Sequence, residues 1–151
     1  MWLAEQFHER SALYNETLGV RINGPVDVEA LRTALAGLIA RHEPLRTNYH
    51  LVDGLPVQVV GPPRTPELTL IDASTWPPAE REERMLATLR EAARGPFDFD
   101  RDLLLRGALL RFSPLEHALL LVVHHSTYDG QSEAVINQEL SLLYSDPHAE
   151  L

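Results

Sequence analysis

The residues with the widest chemical reach are His124-His125-Ser126-Thr127-Tyr128-Asp129-Gly130. They fall where an apolar run gives way to a helical pattern. Imidazole titrates near neutral pH, so a histidine on a rigid strand end can accept and hold a proton. An acid a few residues further on completes a plausible active-site geometry. Adjacent side chains on a strand point to opposite faces. If the strand persists through both histidines, one ring enters the core or the sheet–helix interface and the other enters a cleft. That geometry disfavours a metal shared by the two histidines and Asp129. No further His/Cys/Asp cluster stands at ligand spacing, so no metal is expected. Asp129 by itself reads as a helix N-cap accepting from amides near Gln131 and Ser132. A buried carboxylate there could also accept from an arginine fork. Gly130 reads as serving a tight turn or a close backbone approach, and Tyr128 as packing.

A second cluster is Arg41-His42-Glu43-Pro44-Leu45-Arg46-Thr47, between a helix end and a strand start. It is either a charged helix terminus on the surface or the source of an arginine that reaches Asp129. Periodicity alone leaves both open.

The chain around these clusters has 151 residues, enough for one domain with a sizeable core. Its net charge of −9 argues against a nucleic-acid partner. No apolar stretch approaches the ~20 residues of a membrane span; the longest run, 118–123, suits a buried strand. No charged-then-apolar signal opens the chain. Cysteine is absent, which removes thiolate nucleophiles, thiolate metal sites and disulfides. A cytoplasmic location fits this.

The elements that must position the clusters follow from pattern. Residues 1–13 read as a helix with Trp2, Leu3 and Phe7 on its apolar side. Residues 17–23 alternate Leu18, Val20 and Ile22 with polar neighbours, which predicts a strand. Asp27 is placed to cap a helix over 28–42, whose apolar face is Val28, Leu31, Leu35, Leu38 and Ile39. Pro44 ends it. Strands over 46–52 and 56–60 flank Asp53-Gly54-Leu55, a hairpin signal. A short strand at 68–71, an amphipathic helix over 80–94, a buried hairpin of 103–112 and 117–124, and a last helix over 131–144 complete the chain. Helices alternate with strands, yet hairpins intervene. The expected class is therefore α/β, a two-layer sandwich with a mixed sheet.

The two clusters together carry a resemblance. His124 to Gly130 resembles the HHxxxDG signature of nonribosomal peptide synthetase condensation domains, and Arg41 to Tyr49 resembles their RHExLRTxF motif. Gly24-Pro25-Val26-Asp27-Val28-Glu29-Ala30-Leu31 and Gly95-Pro96-Phe97-Asp98-Phe99 also match, in order along the chain. Trp2-Leu3 matches only the tail of the first family motif, and Gln131 replaces the tryptophan that often follows the glycine.

The resemblance implies one lobe of a chloramphenicol acetyltransferase-like fold, in which two lobes form a V around an active-site tunnel. Residues 1–151 correspond to the N-terminal lobe, with the C-terminal lobe absent. The implied reaction joins a carrier-bound acyl or peptidyl thioester to a carrier-bound amine. His125 takes the catalytic position. His124, Asp129, Gly130 and Arg46 are structural, with Asp129 paired to Arg46 or, failing that, Arg41. No cofactor is bound directly, since phosphopantetheine arms of carrier proteins deliver the substrates. Implied partners are the upstream and downstream carrier proteins, the C-terminal lobe and adjacent synthetase domains. The isolated lobe is expected to be inactive and to expose enough apolar surface to form a homodimer. Alternatives are a related epimerization or acyl-CoA-dependent acyltransferase domain, or a non-catalytic carrier-docking module.

Overall fold

Apolar residues at consecutive positions, rather than alternate ones, require a strand covered on both faces. The computed structural model, which describes residues 12–149, builds its centre from two such strands. In chain order the elements are β1 (Asn15–Asn23), α1 (Val28–Arg41), β2 (Thr47–Val52), β3 (Leu55–Val60), β4 (Leu68–Asp72), α2 (Arg81–Arg94), β5 (Leu105–Ser113), β6 (Glu116–His124) and α3 (Ser132–Ser145). The main sheet runs β1-β6-β5-β4. β4 lies parallel to β5 across the α2 crossover, and the other pairs are antiparallel. The expected mixed-sheet α/β sandwich is the observed class. The helix expected over 1–13 falls almost wholly outside the described residues.

Strand alternation divides the core in two. Leu105, Leu109, Leu119, Leu121 and Val123 face α1 and α3, packing on Leu31, Leu35, Leu38, Ile136, Leu140 and Leu143. Their neighbours turn the other way. Leu110, Phe112, Ala118 and Leu120 meet Trp76, Met85 and Leu89, and Leu104 and Val122 meet Phe97 and Phe99. The helices α1 and α3 form the full second layer; α2 covers part of the opposite face. At Gly37 the two helices approach closely. A Cβ there would lie 3.2 Å from Leu143 Cδ1, so a larger residue would push α3 away.

Local chemistry sets the element ends. Asp27 Oδ1 accepts from the amides of Glu29 at 2.9 Å and Ala30 at 3.0 Å, two donors that the first turn of α1 leaves unpaired. The β2–β3 hairpin closes on Asp53 and Gly54, with φ of 52° and 78°. Two successive left-handed residues match the right-handed twist of the flanking strands. Val52 pairs with Leu55, so Leu55 belongs to the strand rather than to the turn. Every residue of β3 is exposed, and Leu51, Val52, Leu55 and Val60 leave the hairpin with bare apolar surface. β1 starts at Asn15, earlier than alternation suggested, because Asn15 pairs with His124.

Asp27→Ala should lower stability by about 1 kcal/mol. Denaturant unfolding would show the midpoint falling with the slope unchanged. An unchanged midpoint would mean that the cap contributes nothing.

Candidate active site

β6 ends at His124, but its pairing runs one step further. The His125 amide donates to Tyr14 O at 2.8 Å, and the chain then folds into a single 3-10 turn, His125–Thr127. The two imidazoles part there, as opposite strand faces predict. His124 is 1% exposed. Its ring meets Phe99 edge-on at 4.7 Å between centroids, with Phe97 and Tyr14 at 6.2 Å. The Ser126 amide donates to His124 Nδ1 at 3.1 Å, and Ser126 Oγ lies 2.8 Å from the same nitrogen. A nitrogen that accepts from an amide carries no proton, so the neutral ring keeps its hydrogen on Nε2. Burial pushes the His124 pKa down to about 4, and repulsion from His125 adds to this. His124 is thus a neutral structural ring.

His125 is different. Its side chain is 42% exposed, and Nδ1 lies 3.4 Å from Glu16 Oε1 on β1. The acid beside the ring is therefore Glu16, not Asp129. Sequence reasoning passed over Glu16, although a signal was there. Leu18, Val20 and Ile22 mark the inward positions of β1, and Glu16 continues that parity as a carboxylate. Tyr128 packs against the α1–α3 core as expected. Burial raises its hydroxyl pKa, and the charges of Glu133, Glu16 and Asp129 raise it further.

Asp129 accepts from the amides its position suggested, closing the turn that leads into α3, whose own N-cap position is Gln131. Its Oδ1 accepts from the Gln131 amide at 3.1 Å, the Ser132 amide at 2.9 Å and Ser132 Oγ at 2.7 Å. Those bonds, led by the Ser132 hydroxyl, hold the carboxyl below its usual pKa. The expected pairing with an arginine is not present. Asp129 is exposed rather than buried, and its bonds serve the helix end. Arg46 folds back over its own turn and donates to Gly61 O at 2.6 Å and Ala40 O at 3.2 Å. Those carbonyls end β3 and approach the end of α1, so Arg46 ties hairpin to helix. Arg41, the alternative partner, reaches Glu139 Oε1 at 3.1 Å, and His42 Nε2 lies 2.5 Å from Glu139 Oε2. Glu139 is the second acid that sequence reasoning passed over.

Gly130 also departs from expectation. Its φ is not positive, and a Cβ there would meet no atom within 4 Å. Neither turn geometry nor packing among the described residues requires glycine at this position. The two sequence clusters do share a cleft of about 340 Å³, with His42 and Leu45 on one wall and Thr127, Asp129 and Ser132 on the other. His125 does not line it; its ring sits on the β1 side of the turn. Among the described residues no group of three or more His, Cys, Asp or Glu could hold a metal ion. Within the same residues no helix is long and apolar enough to cross a membrane.

The model of the condensation domain family matches residues 1–150. The chain belongs to that family. Curated relatives include cyclosporin synthetase of Tolypocladium inflatum, 38% identical over 150 residues, covering 99% of this chain and 1% of that protein. Isonitrile lipopeptide synthase of Mycobacterium tuberculosis is 37% identical over 147 residues, covering 96% of this chain and 6% of that protein. Among solved structures, the first condensation domain of the calcium-dependent antibiotic synthetase superposes with a TM-score of 0.83 at 28% identity, covering 98% of this chain and 36% of that one. The starter condensation domain of rhizomide synthetase gives 0.86 at 24% identity, covering 99% and 37%, and so shares the fold. The chain spans a little over a third of these solved condensation-domain chains and only a small fraction of the curated synthetases.

Two outcomes follow from this geometry. His124 is depressed to about 4 when folded, against about 6.5 when unfolded. Between these values acid protonates the unfolded chain and not the folded one, so stability falls as pH drops from about 6.5 to about 4. The whole effect is on the order of 3 kcal/mol. Unfolding of wild type and His124→Gln across that window should differ in slope; parallel curves would remove the neutral-ring assignment. Separately, Asp129→Ala and Arg46→Ala should have additive effects on the denaturant midpoint. Measurable coupling in a double-mutant cycle would restore the ion pair.

Proposed function

We propose that this condensation-family chain forms the N-terminal lobe of a domain that makes amide bonds in nonribosomal peptide synthesis. Its partners are then upstream and downstream carrier proteins, a C-terminal lobe that closes the tunnel, and adjacent synthetase domains, in the cytoplasm. The observation that carries the reading is the split pair of histidines. His124 is locked in the core as a neutral ring, and His125 is presented half-exposed from a turn whose backbone is bonded to Tyr14, just ahead of β1. A rigid mount with one accessible imidazole is what proton handling needs.

The chemistry is a direct transfer. The acceptor amine attacks the thioester carbonyl carbon of the donor, and the C–N bond forms as the carbonyl electrons move to oxygen. An α-amine has a pKa near ~8, so part of it is neutral at pH 7 without a base. His125 takes the proton from the nitrogen of the tetrahedral intermediate. Collapse breaks the C–S bond, and the imidazolium returns the proton to the departing thiolate of the pantetheine arm. No acyl-enzyme forms, which suits a chain without cysteine. Positioning the two arms supplies much of the remaining acceleration, so the lobe by itself is inactive. Alone, it would associate through exposed apolar surface such as that of the β2–β3 hairpin.

His125→Ala, in a two-lobed condensation domain carrying this sequence, should lower product formation from preloaded carriers by about 10²–10⁴-fold. Its thermal unfolding should stay close to wild type, because the ring is half-exposed. Activity within a few-fold of wild type would remove the catalytic assignment.

A further inference from the structure

We propose that Glu16 is the positioning residue of the site: its carboxylate keeps the proton of neutral His125 on Nδ1 and leaves the Nε2 lone pair free to accept. The inference deepens the reading of His125 as the proton-handling group and rests on it.

Sheet register carries the argument. Asn15 stands opposite His124, and the His125 amide bonds to Tyr14 O one step further along. Glu16 shares its strand face with Leu18, on the α1–α3 side of the sheet. It is the diagonal neighbour of His125, a distance that a long side chain spans. The observed approach is Nδ1 to Oε1 at 3.4 Å. Glu16 makes no other polar contact among the described residues. Among the described residues, the other charged and titratable groups on the elements around the ring are His124, Tyr128, Asp129 and Glu133. His124 is turned into the core, and its Nδ1 is engaged by Ser126. Asp129 Oδ1 is engaged by Gln131 and Ser132. Glu133, Glu16 and Asp129 all act on Tyr128, and Asp129 also feels the charge of His125, but the ion pair within contact distance of the ring is that of Glu16. Among the described residues, Glu16 is the acid at contact distance from His125.

The consequence is chemical. An exposed neutral imidazole exchanges between two tautomers and offers a given nitrogen as acceptor for only part of the time. A carboxylate at one nitrogen selects the tautomer and orients the ring, because the charged oxygen accepts a hydrogen bond more strongly than water does. Sites that hold a histidine this way gain from a fixed tautomer and a fixed ring plane.

The test reads the tautomer directly. Long-range proton–nitrogen spectra of the ¹⁵N-histidine-labelled chain, at a pH where the ring is neutral, distinguish Nδ1–H from Nε2–H. Wild-type His125 should carry its proton on Nδ1. Glu16→Leu should move the population to Nε2–H. Glu16→Gln, whose amide oxygen still accepts, should retain Nδ1–H. Asp129→Asn should leave the tautomer unchanged. If Glu16→Leu does not fold, Glu16→Thr, with a side chain too short to reach, gives the same reading. A His125 tautomer that is the same in wild type and in Glu16→Leu, or one that responds to Asp129→Asn instead, overturns the proposal. In a two-lobed domain, Glu16→Leu should lower kcat by less than the about 10²–10⁴-fold expected for loss of the imidazole, with partial recovery in Glu16→Gln. The spectra need no turnover. An active His125→Ala would therefore remove the catalytic role and leave the Glu16 contact standing, while an unmoved tautomer would do the reverse.

Discussion

Burial of β6 on both faces is the constraint from which the site follows. Every residue from His117 to His124 is buried. A strand in that position must pair its amides and carbonyls with other strands, since leaving them unpaired away from water is costly. β1 and β5 therefore flank it on either side. The strand can turn only where cover ends, and cover ends after His124. Phe97 and Phe99 close over that ring from the segment before β5. His125 is thus the first residue of the run able to meet solvent, on a backbone already held by two neighbours. Its accessibility and its rigidity have one cause.

The second cluster is held by a partly buried acid. Glu139 on α3 has a side chain only 13% exposed and is met by Arg41 and His42 from the end of α1. A carboxylate so enclosed needs its partners, because an unpaired buried charge is expensive. Arg41 also suits the negative end of the α1 dipole. The contact joins the two helices at one end, and Gly37 lets them close at Leu143. Together these set the 41–46 segment beside the 127–132 loop. The two sequence clusters are neighbours through helix packing, not through a direct ion pair.

What the sequence made legible was local. The apolar stripe of Leu31, Leu35 and Leu38 marked α1, Asp27 marked its start, and Asp53-Gly54 marked a hairpin. The opposed histidines followed from the two-residue period of a strand, and the Asp129 turn from its spacing to Ser132. What stayed hidden depended on tertiary partners. Arg46 lies in the same motif whether it reaches Asp129 or Gly61, and only the return of β3 decides. Glu16 becomes significant only when the start of β1 is laid against the end of β6. The first residue of β1 was misplaced for the same reason, since Asn15 is held by pairing and not by alternation.

The β1–β6 pairing also bears on how the chain reaches its native state. The strands that create the site are separated by about a hundred residues, and all the other elements but α3 lie between them. At synthesis rates of roughly 5–20 residues per second, β1 leaves the ribosome several seconds before its partner exists. Until then its apolar positions Leu18, Val20 and Ile22 have no sheet to join. Contacts of such long sequence separation form late and slowly. The contact between Glu16 and His125 must wait for β6, and until β6 arrives β1 is a strand without its partner.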